Sequence, residues 1–297
     1  MVKQYFSRLK NNLLPVTLIL AISLFVSLPL TVHGLYTMHD DQQVARLYLL
    51  DKAVKSGQYP PRWVDGLGFG FGYPLFVFYP PFVYLLGEIF HISGFGFIDS
   101  IKLVFFSSIF LSGIAMYVLA KELFGKIPAI TGSFFYILLP YRALDIYVRG
   151  ALAESFAFAW LPLILWSFHK LTQTLNQKYL ILSSAFLALL MTTHNLIFMP
   201  FMLTLPLFVL FLVWKSQDRK LSAINCLAAF ILSVKSSIEK SSTLGYRYIL
   251  DKCLCNTLSE FLSLSSRGRY PKPFVTYISI ALWTKYDVIK FLIKKIL

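Results

Sequence analysis

Residues 38–81 read MHDDQQVARLYLLDKAVKSGQYPPRWVDGLGFGFGYPLFVFYPP and follow directly on the first apolar segment of the chain. This stretch contains adjacent carboxylates, a short amphipathic pattern, two Pro-Pro pairs and a glycine-aromatic run. Proline and glycine bend or interrupt regular backbone. So many polar and bending residues exceed the needs of a simple connection. We therefore predict that the stretch is a structured loop that carries a functional site.

The composition determines the class of protein around this loop. Of the 297 residues, 57% are hydrophobic and only 14% are charged. An ordinary soluble domain carries about 25% charged residues, so this class is excluded. The sequence predicts an all-α, polytopic transmembrane protein.

A formal net charge of +14 is also found in nucleic-acid-binding proteins, but the distribution of the basic residues here disfavours that class. Lysine and arginine occur in short clusters between hydrophobic runs, which is the pattern of positively charged cytoplasmic loops. Anionic membrane lipids are their natural partners. The three cysteines, Cys226, Cys253 and Cys255, do not have the spacing of a metal site.

The amino-terminal segment predicts the orientation of the chain. Residues 1–12 form a basic, cytoplasmic start, and residues 13–32 are apolar for 20 positions, which suffices for a first transmembrane helix. A cleaved signal peptide is the alternative. It is disfavoured because the apolar run exceeds the usual length of about 7 to 15 residues.

A short helix is predicted at the start of the loop. Asp40 is placed to cap it, with Gln43 three residues later in a capping-box pattern. Asp51 is expected to point away from the apolar face, and Gly57 to end the helix. The apolar face consists of Val44, Leu47, Leu50 and Val54. The pattern predicts a helix that lies on the membrane surface.

The topology follows from the positions of the basic connections. Further apolar runs cover about residues 74–92, 101–120, 127–141, 155–169, 178–193, 196–214 and 221–234. If each run crossed the membrane once, the basic connections at 121–126, 170–178 and 215–220 would all lie outside. A re-entrant or juxtamembrane segment at 74–92 removes all three violations. Residues 33–100 are therefore predicted as one extracytoplasmic loop, and residues 101–234 as further transmembrane helices.

This topology brings three polar segments to one face. Residues 140–154 and the turn at 193–195 then share the extracytoplasmic side with Asp40 and Asp41. We expect a multi-pass protein of the plasma membrane, with its amino terminus in the cytoplasm and its active face outside.

Several of these strings resemble one membrane protein family. They are HDD at 39–41, PPRW at 60–63, GFGYPLFVFYPP at 70–81, YRALDIYVRGALAE at 141–154 and THN at 193–195. The chain resembles, over about residues 13–233, bacterial and archaeal membrane proteins labelled "6-pyruvoyl-tetrahydropterin synthase-related". Their layout is similar to that of GT-C glycosyltransferases, which take sugar from a polyprenyl-phosphate carrier on the outer face. The sequence has no cluster of zinc-ligating histidines, so no pterin chemistry is predicted.

The resemblance implies a GT-C-like amino-terminal module with a metal-assisted site. In GT-C enzymes a loop aspartate meets a second acidic residue about a hundred positions later, and Asp40 and Asp145 are 105 positions apart. Transfer to a glycan, lipid or protein acceptor needs a base, for which Asp40 is the first candidate and Asp41 the alternative. Candidate ligands of a divalent Mg or Mn ion are Asp40, Asp145, Glu154 and His194. Candidate phosphate- or substrate-binding residues are Arg142, Arg149, Arg62 and Asn195.

Each candidate also has a structural alternative. Asp40 and Glu154 could serve helix termini, Arg142 and Arg149 could extend to lipid headgroups, and His194 could bond a loop carbonyl. Arg62 and Trp63 could anchor the loop at the membrane interface. For the whole chain, the alternative is a non-catalytic membrane protein, either a transporter or a flippase of lipid-linked sugars.

The last 63 residues differ from the rest. Residues 235–297 are rich in serine and lysine, and the apolar run at 221–234 is only 14 residues long. A spanning helix needs about 20 residues. Our hypothesis is that the natural product is truncated here by a frameshift; if it holds, the chain is an inactive fragment of a longer protein.

Overall fold

The protein is described here by a computed structural model that covers residues 2–234, with side chains from residue 13 onward. This part of the chain is helical, with one isolated antiparallel bridge between Val64 and Tyr73. The expectations for the basic tail at 235–297 lie outside the described residues.

The first helix, α1, covers Val2–Val26, and a 3-10 turn follows at Leu28–Thr31. The α-helix therefore ends six residues before the predicted boundary at residue 32. Pro29 explains the difference, because proline has no N–H and disfavours helical backbone at the preceding residue. The described side chains of α1 form a short apolar helix at Leu13–Val26.

Helix α2 covers Gln43–Lys55 and differs in two ways from the prediction. Its N-cap position is Gln42, and no side chain caps it, so the predicted capping box at Asp40 is wrong. Asp51 was expected to point away from the packed face, yet it is buried. Leu47 and Leu50 are buried as predicted, and Gly57 follows the helix with a positive φ of 83°.

Residues 58–81 form a hairpin-like loop. Val64 and Tyr73 exchange two backbone hydrogen bonds of 2.9 and 3.0 Å, which close the glycine-aromatic run between them. The Trp63 ring lies over Gly72, where an added Cβ would be 2.3 Å from the indole Nε1. Only glycine fits there, since Gly72 also has a φ of 82°.

The apolar run at 74–92 does not form one long helix. It divides into α3 (Leu75–Phe78) and α4 (Phe82–Ile92). With 11 residues, α4 is about 16 Å long, and the membrane core is about 30 Å thick. Helix α4 is therefore too short to cross the membrane core by itself. The re-entrant or juxtamembrane position of the run stays a prediction.

The remaining helices form a bundle around α5 and α8. They are α5 (Phe97–Phe124), α6 (Lys126–Ile137), α7 (Pro140–Ala143) with a π-helical segment at Leu144–Arg149, α8 (Leu152–Thr174), α9 (Gln177–Thr193) and α10 (Asn195–Lys215). At the end of the described residues, a further helix covers residues 219–234. Helix α5 packs against α6 and α8, and α8 packs against α9. Between α5 and α8, the Ser108 and Ser155 hydroxyls are joined by a hydrogen bond of 2.7 Å.

Three described helices, α5, α8 and α10, are long and apolar enough to cross a membrane. A fourth crossing results if α6 and residues 140–149 form one span that is bent by 41°. The predicted run at 127–141 is thus interrupted, since Pro140 begins a new helical segment after Ile137. These helices make the chain compatible with a multi-pass membrane protein.

Substitution of Gly113 in α5 tests how closely α1, α5 and α6 pack. A Cβ at this position would lie 2.5 Å from Ile137 Cδ1 and 2.9 Å from Ile19 Cγ2. Gly113→Val should lower the free energy of unfolding by about 1–3 kcal/mol through overpacking, measured as a lower Tm in detergent. The matched control is Gly132→Val in α6, where an added Cβ has no closer neighbour than 4.0 Å. Equal Tm values for the two variants would contradict this packing.

Candidate functional site

The first loop is bonded to the segment that joins α7 to α8. His39 N–H donates to the Val148 carbonyl at 3.0 Å, and Asp40 N–H donates to the Arg149 carbonyl at 2.8 Å. The Tyr36 hydroxyl donates to the Ile146 carbonyl at 2.9 Å. Two segments that are far apart in sequence therefore meet edge to edge.

Gly150 makes this approach possible. It ends the π-helical segment in the left-handed region, with a φ of 67°. An added Cβ there would lie 2.1 Å from the Met38 sulfur, so the loop packs where a side chain would otherwise be. The Gly150 carbonyl accepts a hydrogen bond of 2.8 Å from Gln43 Nε2.

A charged cluster lies at this junction, centred on Arg149. Arg149 Nη1 is 3.1 Å from Asp145 Oδ1, and Nη2 is 2.9 Å from Glu154 Oε2. The Tyr141 hydroxyl accepts from Arg149 Nη1 at 3.0 Å and donates to Glu154 Oε1. The Asp145 side chain is buried, and the Arg149 side chain is 42% exposed. The guanidinium thus holds two carboxylates in place while one side of it stays accessible.

Asp40 lies at the edge of this cluster. Its side chain is 45% exposed and lies 3.4 Å from His39 Nδ1. It is also close enough to Asp145 for the two carboxylates to interact electrostatically. Asp41, the next residue, is exposed.

Arg142 does not extend to lipid headgroups, because it is only 2% exposed. Its guanidinium lies 5.0 Å from the centre of the Phe158 ring, and Nη1 is 3.5 Å from the Ser155 carbonyl. In the described part of the chain, Nε and Nη2 have no hydrogen-bond partner. Asp145 is its nearby negative charge. Arg149 is therefore the more accessible of the two predicted phosphate-binding arginines.

His194 occupies the turn between α9 and α10. Its Nδ1 accepts a hydrogen bond of 3.1 Å from Ile197 N–H and so caps α10. Burial lowers the pKa of His194; the Glu154 carboxylate opposes this shift, and Arg149 adds to it. His194 is thus a neighbour of the charged cluster. Asn195, the first residue of α10, is exposed.

Arg62 lies at the base of the hairpin-like loop. Its N–H and the N–H of Trp63 donate to Gln58 Oε1 at 2.6 and 2.7 Å, and its carbonyl accepts from Phe76. The residue is buried, and burial lowers the pKa of its guanidinium. This backbone position lies in the loop rather than in the charged cluster.

The four predicted metal ligands do not gather as a metal site. Among residues 13–234, no group of three or more His, Cys, Asp or Glu side chains is placed to hold a metal ion. The Arg149 guanidinium lies between Asp145 and Glu154 and already supplies their positive counter-charge. In this arrangement the guanidinium occupies the position between the two carboxylates, and metal binding by the four residues stays a prediction.

Sequence reasoning missed the buried hydrogen bonds behind the cluster. Gln43 is fully buried, and its Oε1 accepts from the Tyr84 hydroxyl at 2.6 Å while Nε2 binds Gly150. Arg46 Nη1 lies 3.3 Å from the same hydroxyl and stacks over the Tyr79 ring. One signal was available, because Gln43 precedes Leu47 by four positions and so shares its buried helix face.

Comparison with known protein families and with curated proteins gave no match for this chain. The proposals below therefore depend on the geometry of the site and on the sequence resemblance.

Substitution of Gln43 tests the contact between α2 and Gly150. Gln43→Leu should lower the free energy of unfolding by about 1–3 kcal/mol, because it leaves the Gly150 carbonyl and the Tyr84 hydroxyl buried without this partner. The measurement is Tm in detergent. Gln42→Leu is the matched control, since Gln42 is the exposed neighbour and bonds only within its own helix turn, to Arg46 at 3.2 Å. An unchanged Tm for Gln43→Leu would show that the junction does not depend on this side chain.

Proposed function

We propose that this chain derives from a GT-C-like glycosyltransferase that moves a sugar from a polyprenyl-phosphate donor to an acceptor outside the plasma membrane. The observation that carries the proposal is the backbone pairing of Asp40 with Arg149. It brings the residue with a half-exposed carboxylate to the segment that carries the half-exposed Arg149 guanidinium. The transfer needs two chemical groups, a base that takes the acceptor proton and a cationic group that binds the departing phosphate.

Asp40 is the proposed base. Its backbone is fixed to residue 149, while its side chain is half exposed and so open to an acceptor hydroxyl. Asp40 takes the hydroxyl proton as the acceptor oxygen bonds to the anomeric carbon of the sugar. The bond from that carbon to the phosphate oxygen breaks, and the phosphate leaves with the electron pair. Asp41 is the alternative base.

Arg149 is the proposed phosphate-binding residue. Asp145, Glu154 and Tyr141 orient its guanidinium, so little conformational freedom remains to be lost when a phosphate binds. The exposed side of the guanidinium faces the position of an incoming anion. No step in this scheme requires a metal ion.

Apolar side chains near the loop offer a surface for the polyprenyl tail. The side chains of α3 and α4 that remain exposed are Val77, Phe78, Ile89 and Ile92. A tail bound there buries apolar surface on both sides, which is favourable by about 25 cal/mol per Å².

One observation favours the non-catalytic alternative, a transporter or flippase of lipid-linked sugars. Arg142 and Asp145 are buried in the helical part of the protein, each with atoms that lack a hydrogen-bond partner in residues 13–234. Buried ionisable groups among membrane helices are typical of transport pathways. Donor binding without sugar transfer would identify this class.

Substitution of Asp40 distinguishes the glycosyltransferase from the non-catalytic membrane protein. In a full-length relative that carries the same residues, with radiolabelled polyprenyl-phosphate sugars as donors, the change equivalent to Asp40→Asn should reduce the transfer rate about 10²–10⁴-fold, because the base is lost while the shape is kept. Asp65→Asn, at an exposed aspartate of the hairpin-like loop, should leave the rate unchanged. Asp41→Asn identifies the base if it, and not Asp40→Asn, abolishes transfer. Full activity of both the Asp40 and Asp41 variants would exclude this mechanism.

The shared outer face of the site can be tested by labelling. In a variant with Cys226, Cys253 and Cys255 replaced by serine, single cysteines are introduced as Val148→Cys and Leu123→Cys, both at exposed positions. A bulky, impermeant thiol reagent added outside the cell should label position 148, whereas position 123 should react only after permeabilisation. Outside labelling of position 123 alone would reverse the proposed orientation.

A further inference from the structure

Two buried carboxyl groups face each other where α2 packs on α4. Asp51 is 4% exposed and Glu88 is 5% exposed. The pair lies apart from the charged cluster, and none of the roles described so far uses it. Lys55 Nζ, at 2.8 Å from Asp51 Oδ1, is the bound cation, and its own side chain is 68% exposed.

The packing of α2 against α4 brings Asp51 and Glu88 together. Gln43, Leu47 and Asp51 recur every four residues and so share one face of α2. Gln43 is bonded to Tyr84 at the start of α4, and a Cβ added to Gly87 would lie 3.3 Å from the Leu47 methyl groups. Asp51, one turn after Leu47, then contacts Glu88, one turn after Tyr84. We name this contact, formed by Gln43, Leu47 and Asp51 with Tyr84, Gly87 and Glu88, the α2–α4 seam.

The charges at the end of the seam do not balance if both carboxyls are ionised. Two carboxylates would then face one lysine whose ammonium group is largely in solvent. Glu88 Oε2 is buried and has no hydrogen-bond partner in the described part of the protein. A buried carboxylate oxygen without a donor is costly, and a second carboxylate beside it raises that cost further.

A bound proton removes both problems. Burial raises the pKa of Glu88, and the neighbouring Asp51 carboxyl raises it further through its charge and a hydrogen bond. His91 and Lys55 act in the opposite direction on the same group. Asp51 and Lys55 act on Glu88 from α2, and His91 acts from the same helix as Glu88.

We propose that Asp51 and Glu88 form a proton-binding site, in which Glu88 is protonated and donates a hydrogen bond to the Asp51 carboxylate, and that this bond holds the α2–α4 seam together. The geometry is that of two acids sharing one proton, with Lys55 as counter-charge for the ionised member. The site depends on no assumption about the reaction. It acts on the candidate site all the same, because α2 begins three residues after Asp40.

The pH dependence has a definite sign. Because the pKa of Glu88 in the folded protein lies above its ordinary value of 4.5, folding takes up a proton. The stabilisation is complete below about pH 4.5 and is lost as the pH rises through the folded-state pKa. Alkaline conditions should therefore loosen the seam.

Infrared difference spectroscopy of the full chain in detergent tests the proposal directly. Wild-type protein, titrated from acidic to alkaline pH, should show the C=O stretch of a protonated carboxylic acid, which disappears with a midpoint above the ordinary value for glutamate. The spectrum of the wild type minus that of Glu88→Gln should contain this band, because other buried carboxyl groups such as Asp145 contribute to both proteins and cancel. The matched control, Glu122→Gln, should keep it, since Glu122 is an accessible carboxylate paired with Lys170 at 3.0 Å.

A second variant keeps the test valid if Glu88→Gln does not fold. Lys55 is largely exposed, so Lys55→Gln leaves the packing intact but removes the counter-charge of Asp51. The midpoint of the band should then move to higher pH. In parallel, Tm of the wild type should fall by roughly 2–4 °C between acidic and alkaline pH, and Tm of Glu88→Gln should fall less.

The proposal is overturned if the wild type shows no such band at the lower pH values, or if the spectra of the wild type and Glu88→Gln do not differ in it. A midpoint that Lys55→Gln leaves unchanged would equally exclude a proton shared with Asp51. Loss of sugar transfer in the Asp40 variants does not affect these outcomes, so this proposal and the proposed function can fail separately.

Discussion

The backbone hydrogen bonds from His39 and Asp40 to the carbonyls of Val148 and Arg149 are the interaction on which the candidate site depends. The acceptors are carbonyls at the end of the π-helical segment Leu144–Arg149. Carbonyls at a helix end have no partner within their own helix, and the N–H groups of the first loop supply one. Gly150 permits the contact because a side chain there would displace Met38.

The second constraint is the cost of burying charge. Asp145 is almost completely buried, and Arg149 stabilises it from the accessible side while also binding Glu154. A buried ion pair is expensive to desolvate and weak evidence for stability by itself, so its retention is better explained by a requirement for orientation. The Asp51–Glu88 contact meets the same cost by another route, since it lowers the buried charge with a proton rather than with a second arginine.

These two polar centres are connected through α2. Gln43 at its first turn links Gly150 to Tyr84, Leu47 packs into the space left by Gly87, and Asp51 meets Glu88 at the far end. Helix α2 thus contacts both the segment that carries the charged cluster and the Asp51–Glu88 pair.

The sequence by itself determined the helical class, the positions of most apolar segments and the end of α2 at Gly57, because these depend on local composition, proline and glycine. It also identified Asp40, Asp145, Arg149, Glu154 and His194 as the polar residues to compare. Only the tertiary structure decided that Arg149 binds both carboxylates and that Arg142 is buried. It also showed that no side chain caps α2 and that Asp51 packs inward against Glu88. The physical reason is that a hydropathy pattern describes each segment alone, whereas the burial of a charge and its partner depend on which distant segments pack against it.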